Sequence, residues 1–284
     1  MRDAAAFRLD WRSEFKRLSP YLDGIRGGVV RVDYDSEDAA PDKFNFLLKE
    51  YFGKPKNGMR CSLRIDHEWF TTRQVFGILD EISRILADAG FPDELDPADC
   101  ASSGNIIANN SVDGNMTVAI SNSTITINGR VDERALRARL KSTCAAMRRY
   151  VGAGGHFMFV VNDAPLEDQA EFWQRIWNAG LSAAVGENAV LVVGAGPKSG
   201  KRHHPDSPEP DELIVLPVSV ETDEARQDVI YDDLVEVFQR NGVQGAEAAA
   251  QTYLSCHARS MLQLNMQLSA TLLSIRNREA RRIG

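Results

Sequence analysis

The chain has 284 residues, 43% hydrophobic and 26% charged, enough for one large core or two small ones and unlike a collagen, a disulfide scaffold or a wholly disordered chain. Asp plus Glu number 40 against 33 Lys plus Arg, for a net charge of −7, which disfavours a dedicated nucleic-acid binder while leaving room for a local basic patch. No apolar run reaches the roughly 18–20 residues of a spanning helix, and the charged start lacks the apolar stretch of a signal peptide. The cysteines Cys61, Cys100, Cys144 and Cys256 form no C-x-x-C pair, so neither a zinc site nor a disulfide framework is expected. These features predict a reduced, cytoplasmic protein without a membrane segment, in which the N-x-S/T triplets at Asn109, Asn115 and Asn122 stay unmodified.

In chain order, residues 1–20 read as a short amphipathic helix, with Phe7, Trp11, Phe15 and Leu18 at spacings of three and four. A strand at 27–34 leads through an acidic loop, 35–41, into a helix near 42–53. A second strand at 60–66 feeds a helix near 71–89, whose face carries Val75, Ile78, Leu79, Ile82, Ile85 and Leu86. After a Pro/Asp/Ser/Gly-rich connection at 92–104, short alternating runs separated by Asn, Gly and Asp predict a β-hairpin or meander over 104–129. A helix at 132–150 follows, with Leu136, Leu140, Cys144 and Met147 as its stripe.

Three apolar strands come next, at 157–161, 189–193 and 213–218, and runs apolar on both faces predict a parallel sheet covered by helices. A helix at 167–180 joins the first two. A polar, proline-rich loop at 197–212, expected to be mobile, joins the last two. Helices near 222–241 and 245–278 close the chain, the second apolar nearly all round and therefore either buried or an assembly surface. The order predicts an α/β, doubly wound, mostly parallel sheet with the hairpin 104–129 inserted and a C-terminal helical cap. The corresponding segments are an N-terminal helix, 1–23, an α/β core, 24–220, and a helical segment, 221–284.

Phosphate binding needs a strand, a glycine-rich loop and a helix N-terminus. The loop after the first strand has no glycine and holds five acidic residues between 33 and 42, whose charge opposes a triphosphate. Residues 194–202, Gly-Ala-Gly-Pro-Lys-Ser-Gly-Lys-Arg, approach G-x-x-x-x-G-K-[ST]. Ala195 stands where the first glycine is required, however, and Arg202 stands where a magnesium-binding hydroxyl is required. The strand 157–161 ends at Asn162-Asp163 like a Walker B strand, with Ala164 in place of the catalytic Glu. Asp163, Asp66 and Glu68 are the metal candidates. Asp33 and Asp35 join them because parallel strands bring their ends to one edge. His67 beside Asp66 and Glu68, and His203-His204 near Asp206 and Glu209, are weaker clusters with strand-end and loop readings of their own. Cys256 and His257 point about 100° apart on a helix and form no dyad.

Taken together these features resemble the inactive members of the STAND class of P-loop ATPases of bacterial conflict and antiviral systems. The resemblance spans residues 24–220. It rests on a first strand (28–34) without Walker A, a second ending in Asp66-His67-Glu68-Trp69-Phe70, a Walker-B-like strand from Phe157 to Asp163 followed by Glu171-Phe172-Trp173-Gln174-Arg175-Ile176-Trp177, and the strand 189–193. It implies a core that keeps the ATPase fold, has lost hydrolysis, takes no cofactor, and acts as a scaffold or sensor with a protein partner or effector. A homo-oligomer through the C-terminal helix is a further expectation. The rival expectations are a metal-dependent nucleotide hydrolase or nuclease using the strand-end carboxylates, and a nucleic-acid-associated accessory protein using Arg276, Arg278, Arg281 and Arg282. Of these partners, nucleic acid is the less expected.

Overall fold

The computed structural model describes residues 11–53, 59–70, 74–94, 126–127, 130–131, 133–219, 221 and 224–283. Its centre is a five-stranded sheet built from β1 (Gly28–Asp33), β2 (Arg60–Ile65), β5 (His156–Val161), β6 (Ala189–Ala195) and β7 (Glu212–Val215). The order is β2-β5-β6-β1-β7, and every pairing is parallel. All five carboxyl ends therefore lie along one edge, as the sequence predicts. A separate antiparallel ladder pairs β3 (Thr126–Ile127) with β4 (Arg130–Val131). Apart from 126–127, the hairpin expected over 104–129 lies outside the described residues.

Side chains alternate along each strand, so two cores form, one on each face of the sheet. Val30, Val32, Met158, Val160, Val190, Val192 and Ile214 point to one face. There they meet α1 (Arg12–Leu22), α2 (Pro41–Phe52), α7 (Glu224–Arg240), α8 (Ala246–His257) and α9 (Met261–Ile283). Phe157, Phe159, Val161, Leu191 and Val193 point to the other. That face carries α3 (Gln74–Asp88), α4 (Glu133–Gly152), α5 (Leu166–Phe172) and α6 (Ser182–Val185). The central strands β5 and β6 are buried on both faces, which is why their sequences are continuously apolar. The result is a mixed α/β fold with an all-parallel sheet.

Four predicted elements differ from the structure. The third apolar run does not become a buried strand over 213–218. β7 spans 212–215 at the edge of the sheet, with Leu213 and Val215 exposed and Ile214 fully buried. The helix expected at 167–180 is α-helical only to Phe172 and π-helical over Trp173–Leu181. The single helix expected over 245–278 is two, α8 and α9, broken at Ser260. The Ser260 hydroxyl accepts the Gln263 N–H (3.3 Å), and its carbonyl takes the Leu264 N–H (3.0 Å). Both hold the first turn of the new helix. The loop 197–212 is tied down: Gln174 and Asn178 donate to the Asp206 side chain and carbonyl (both 2.7 Å), and the Asp211 carboxylate accepts the Val29 N–H (2.8 Å).

The terminal helices share the core of the sheet face they cover. Met261, Leu264, Leu268 and Leu272 are buried there while Met266 is exposed, so α9 presents one apolar stripe inward. Backbone and side-chain bonds join the same region to the sheet's carboxyl edge. The Met261 N–H donates to the Val218 carbonyl (2.9 Å), and the Ser260 hydroxyl donates to Asp38 (3.1 Å). Among the described residues no helix is long and apolar enough to cross a membrane.

Candidate functional site

In open α/β sheets ligands bind outside the carboxyl ends of the strands, where the strand order reverses. Here that position lies beside β1 and β6. The chain leaves β1 at Tyr34, whose N–H donates to the Ala195 carbonyl (3.2 Å). It then closes into a short 3-10 turn, Glu37–Ala39, in which the Ser36 hydroxyl accepts the Asp38 N–H (3.2 Å). Ala40 adopts a left-handed conformation (φ 53°), and Pro41 opens α2. Ala39, Ala40 and Pro41 are buried. A phosphate-cradling loop needs glycines so that backbone N–H groups can close on an anion; this loop instead buries small apolar side chains.

The near-miss segment 194–202 does form an anion cradle, and the anion is the protein's own. Asp163, 3% exposed, follows β5. Its carboxylate accepts the N–H of Lys198 (2.8 Å) and of Ser199 (3.0 Å). The turn is completed by Gly200 N–H to Pro197 (3.2 Å) and Lys201 N–H to Gly196 (2.9 Å), with Gly200 and Lys201 both left-handed (φ 63° and 57°). Successive backbone N–H groups in such a turn make a concavity suited to an anion. At its back the Tyr34 ring lies against Gly196: a Cβ there would stand 2.5 Å from the ring and 2.8 Å from the Asp163 carboxylate. Burial, and secondarily the Asp163 charge, raise the Tyr34 hydroxyl pKa well above its usual value, so the phenol stays neutral. Three segments distant in sequence thus fill the crevice with protein atoms.

The other strand-end carboxylates come to the same edge, each with its own partner. Asp33 takes a two-pronged contact from Arg31 (2.5 and 3.1 Å), and Arg31 also donates to the Lys201 carbonyl (3.0 Å). Asp35 pairs with Lys201. Asp66 accepts from Arg64 (2.7 Å) and from Asn162 (2.6 Å), and Asn162 in turn accepts from Asn45 (2.9 Å). Arg64 reaches Asp42 as well. Glu68 is exposed on the helical turn after β2, beside His67, whose Nε2 lies 3.1 Å from Asp168. Among the described residues no group of three or more His, Cys, Asp or Glu side chains is arranged to hold a metal ion. The structure therefore gathers Asp163, Asp66 and Glu68 at one edge without gathering their carboxylates on a common point.

His203 and His204 serve the loop between β6 and β7. The Ser207 hydroxyl lies 2.6 Å from a His203 ring nitrogen. The Nδ1 of buried His204 accepts the Asp206 N–H (3.1 Å), beside the Trp173 ring. Burial lowers the His204 pKa, the Asp206 carboxylate opposes that, and His203 adds to it. The folded state therefore disfavours the imidazolium. This contribution to stability is complete above the unfolded imidazole value of about 6.5 and is lost as pH falls below it. His156, lowered by burial and by Arg60, adds a slope of the same sign. Melting temperature is thus expected to fall on acidification below about pH 6.5. The fall should be shallower in His204→Asn, whose amide oxygen can still accept the Asp206 N–H. Equal slopes for both proteins in melts across that range would refute the assignment.

No family model matches the sequence, and no curated protein matches it. Among solved structures, the chain is similar to one in the structure of Drosophila ORC bound to DNA. The identity is 13%, covering 93% of this chain and 67% of that one, with a TM-score of 0.39.

Proposed function

We propose that this chain is a non-catalytic, ATPase-like scaffold or sensor that assembles with a partner or effector protein, in the manner of the inactive STAND domains its strand pattern resembles, within a bacterial conflict or antiviral system. The observation that carries this reading is the occupied anion cradle. The carboxylate that would hold magnesium through water in a Walker B strand is instead bound by the Lys198 and Ser199 N–H groups. Tyr34 takes the space beside it. A triphosphate would have to displace a buried carboxylate and an aromatic ring.

The direct test is a thermal melt of the whole chain with ATP, with and without magnesium. A ligand at about 100 times its dissociation constant adds about 2.7 kcal/mol, or about 5 °C for a chain of this size. The expected outcome is no shift under either condition, together with co-purification of a stoichiometric protein partner from the native host. A shift of several degrees, or turnover that disappears with Asp163, overturns the reading.

A further inference from the structure

The face of the sheet away from α7–α9 carries a groove with an unbalanced charge. A cavity of about 500 Å³ opens between α4 and the π-helical segment. Leu136, Leu140 and Cys144 form its floor, and Arg137, Lys141 and Arg148 stand around it. The three cations are exposed, and among the described residues none has a carboxylate partner. Glu133, also at the groove, is held by Arg175 (2.6 Å). In a chain with seven more acidic than basic residues, three uncompensated cations on one helix face, spread over about 16 Å of axis, mark a surface built for negative charge.

The complementary surface is on the same molecule. Along α7, Glu224, Asp228, Asp232 and Glu236 recur every fourth residue, and all are exposed. Their row runs about 18 Å, close to the length of the basic row. Arg240 pairs with Glu236 at the end of the row, and Arg226 turns away to Glu14 (3.4 Å). Glu224, Asp228 and Asp232 have no cationic partner among the described residues. Like charges at this spacing repel along a helix, and a facing row of cations relieves that repulsion. The two rows cannot meet within one molecule. α4 buries Leu136, Leu140 and Cys144 in the core of one sheet face, while α7 buries Ile230, Leu234 and Phe238 in the core of the other.

We propose that the basic groove of α4 receives the acidic row of α7 from a second copy of this chain. The contact joins different surfaces of the two copies, so it is head-to-tail and repeats into a ring or a filament. It does not depend on whether the crevice beside β1 takes a nucleotide.

Sedimentation velocity of the full chain tests it. At about 0.1 M salt, where charges are felt over about 10 Å, species larger than the monomer are expected. At about 1 M, where that range shrinks to about 3 Å, the monomer is expected. Arg137→Glu/Lys141→Glu and Asp228→Lys/Asp232→Lys each reverse one surface, and each alone is expected to be monomeric with an unchanged melting temperature. Mixed in equal amounts they restore assembly, because each then offers what the other lacks. A wild-type chain that stays monomeric at low salt overturns the proposal, as does association that survives either reversal. A monomeric wild type that binds a single-stranded oligonucleotide, with binding lost in Arg137→Glu/Lys141→Glu, also overturns it and gives the groove to nucleic acid instead.

Discussion

Asp163→Ala is expected to lower the stability of the fold by about 2–4 kcal/mol. Hydrogen bonds to a charged group contribute about 1.5–3 kcal/mol each, and a buried N–H left without a partner costs about 1–3. The substitution strips the Lys198 and Ser199 N–H groups of their common acceptor, and Ser199 is 6% exposed, so water replaces the carboxylate poorly there. Part of the loss is offset, because burying an ionised carboxylate is itself costly; that offset keeps the figure below the sum of the two bonds. Asp163→Asn keeps the shape but turns an amide donor toward one of two donors. Its loss should be intermediate. Urea unfolding of the three proteins measures the series. A magnesium ligand predicts the opposite pattern, since removing one of several clustered carboxylates relieves repulsion and leaves stability unchanged or raised while activity disappears. Unchanged unfolding midpoints in Asp163→Ala would therefore sink the internal-anion reading.

What the residues reveal in advance, and what they hide, follows from how local each cause is. β5 and β6 are legible because burial on both faces leaves a continuous apolar run, and no neighbour is needed to see it. β7 is not, since Leu213 to Val218 carries the same letters while its position at the sheet edge is decided by which strand pairs with β1. The break before α9 was available: Ser260 and Gln263 have the S-x-x-Q spacing of a capping box, hidden inside a long apolar helical pattern. The π-helical Trp173–Leu181 left no signal, because Phe172, Trp173, Ile176 and Trp177 fit a 3.6-residue period equally well. At the crevice, the defects of residues 194–202 as a phosphate loop are visible in the letters. That its N–H groups close on Asp163, which stands 35 residues earlier, depends on the adjacency of β5 and β6 and is written in neither segment alone. The cationic row of α4 and the carboxylates of α7 can each be read on a helical wheel. Only the sheet shows that they face opposite ways.

The adjacency of β1 and β6 leaves Gly27 no room for a side chain. It precedes β1 where that strand runs beside the start of β6. A Cβ on Gly27 would stand 2.1 Å from the Glu187 carbonyl oxygen and 2.5 Å from that of Ala189. Both obstacles are backbone, so no rotamer change relieves them; β1 must move away from β6 or lose register at its first pairs, Gly28 with Val190 and Val29 with Leu191. Overpacking a core costs about 1–3 kcal/mol when side chains can give way. Gly27→Ala, with main chain on the other side, is expected at or above about 3 kcal/mol by the same reasoning. The appropriate comparison is Gly152→Ala at the end of α4, where nothing lies within 4 Å of the new Cβ and loss of unfolded-chain freedom should stabilise by about 0.4–1 kcal/mol. Denaturant unfolding of the pair separates chain entropy from close approach, because both substitutions add the same methyl group. If Gly27→Ala unfolds at the wild-type midpoint, β1 does not pass β6 as closely as this structure places it, and the crevice built on that contact by Tyr34, Gly196 and Asp163 loses its foundation.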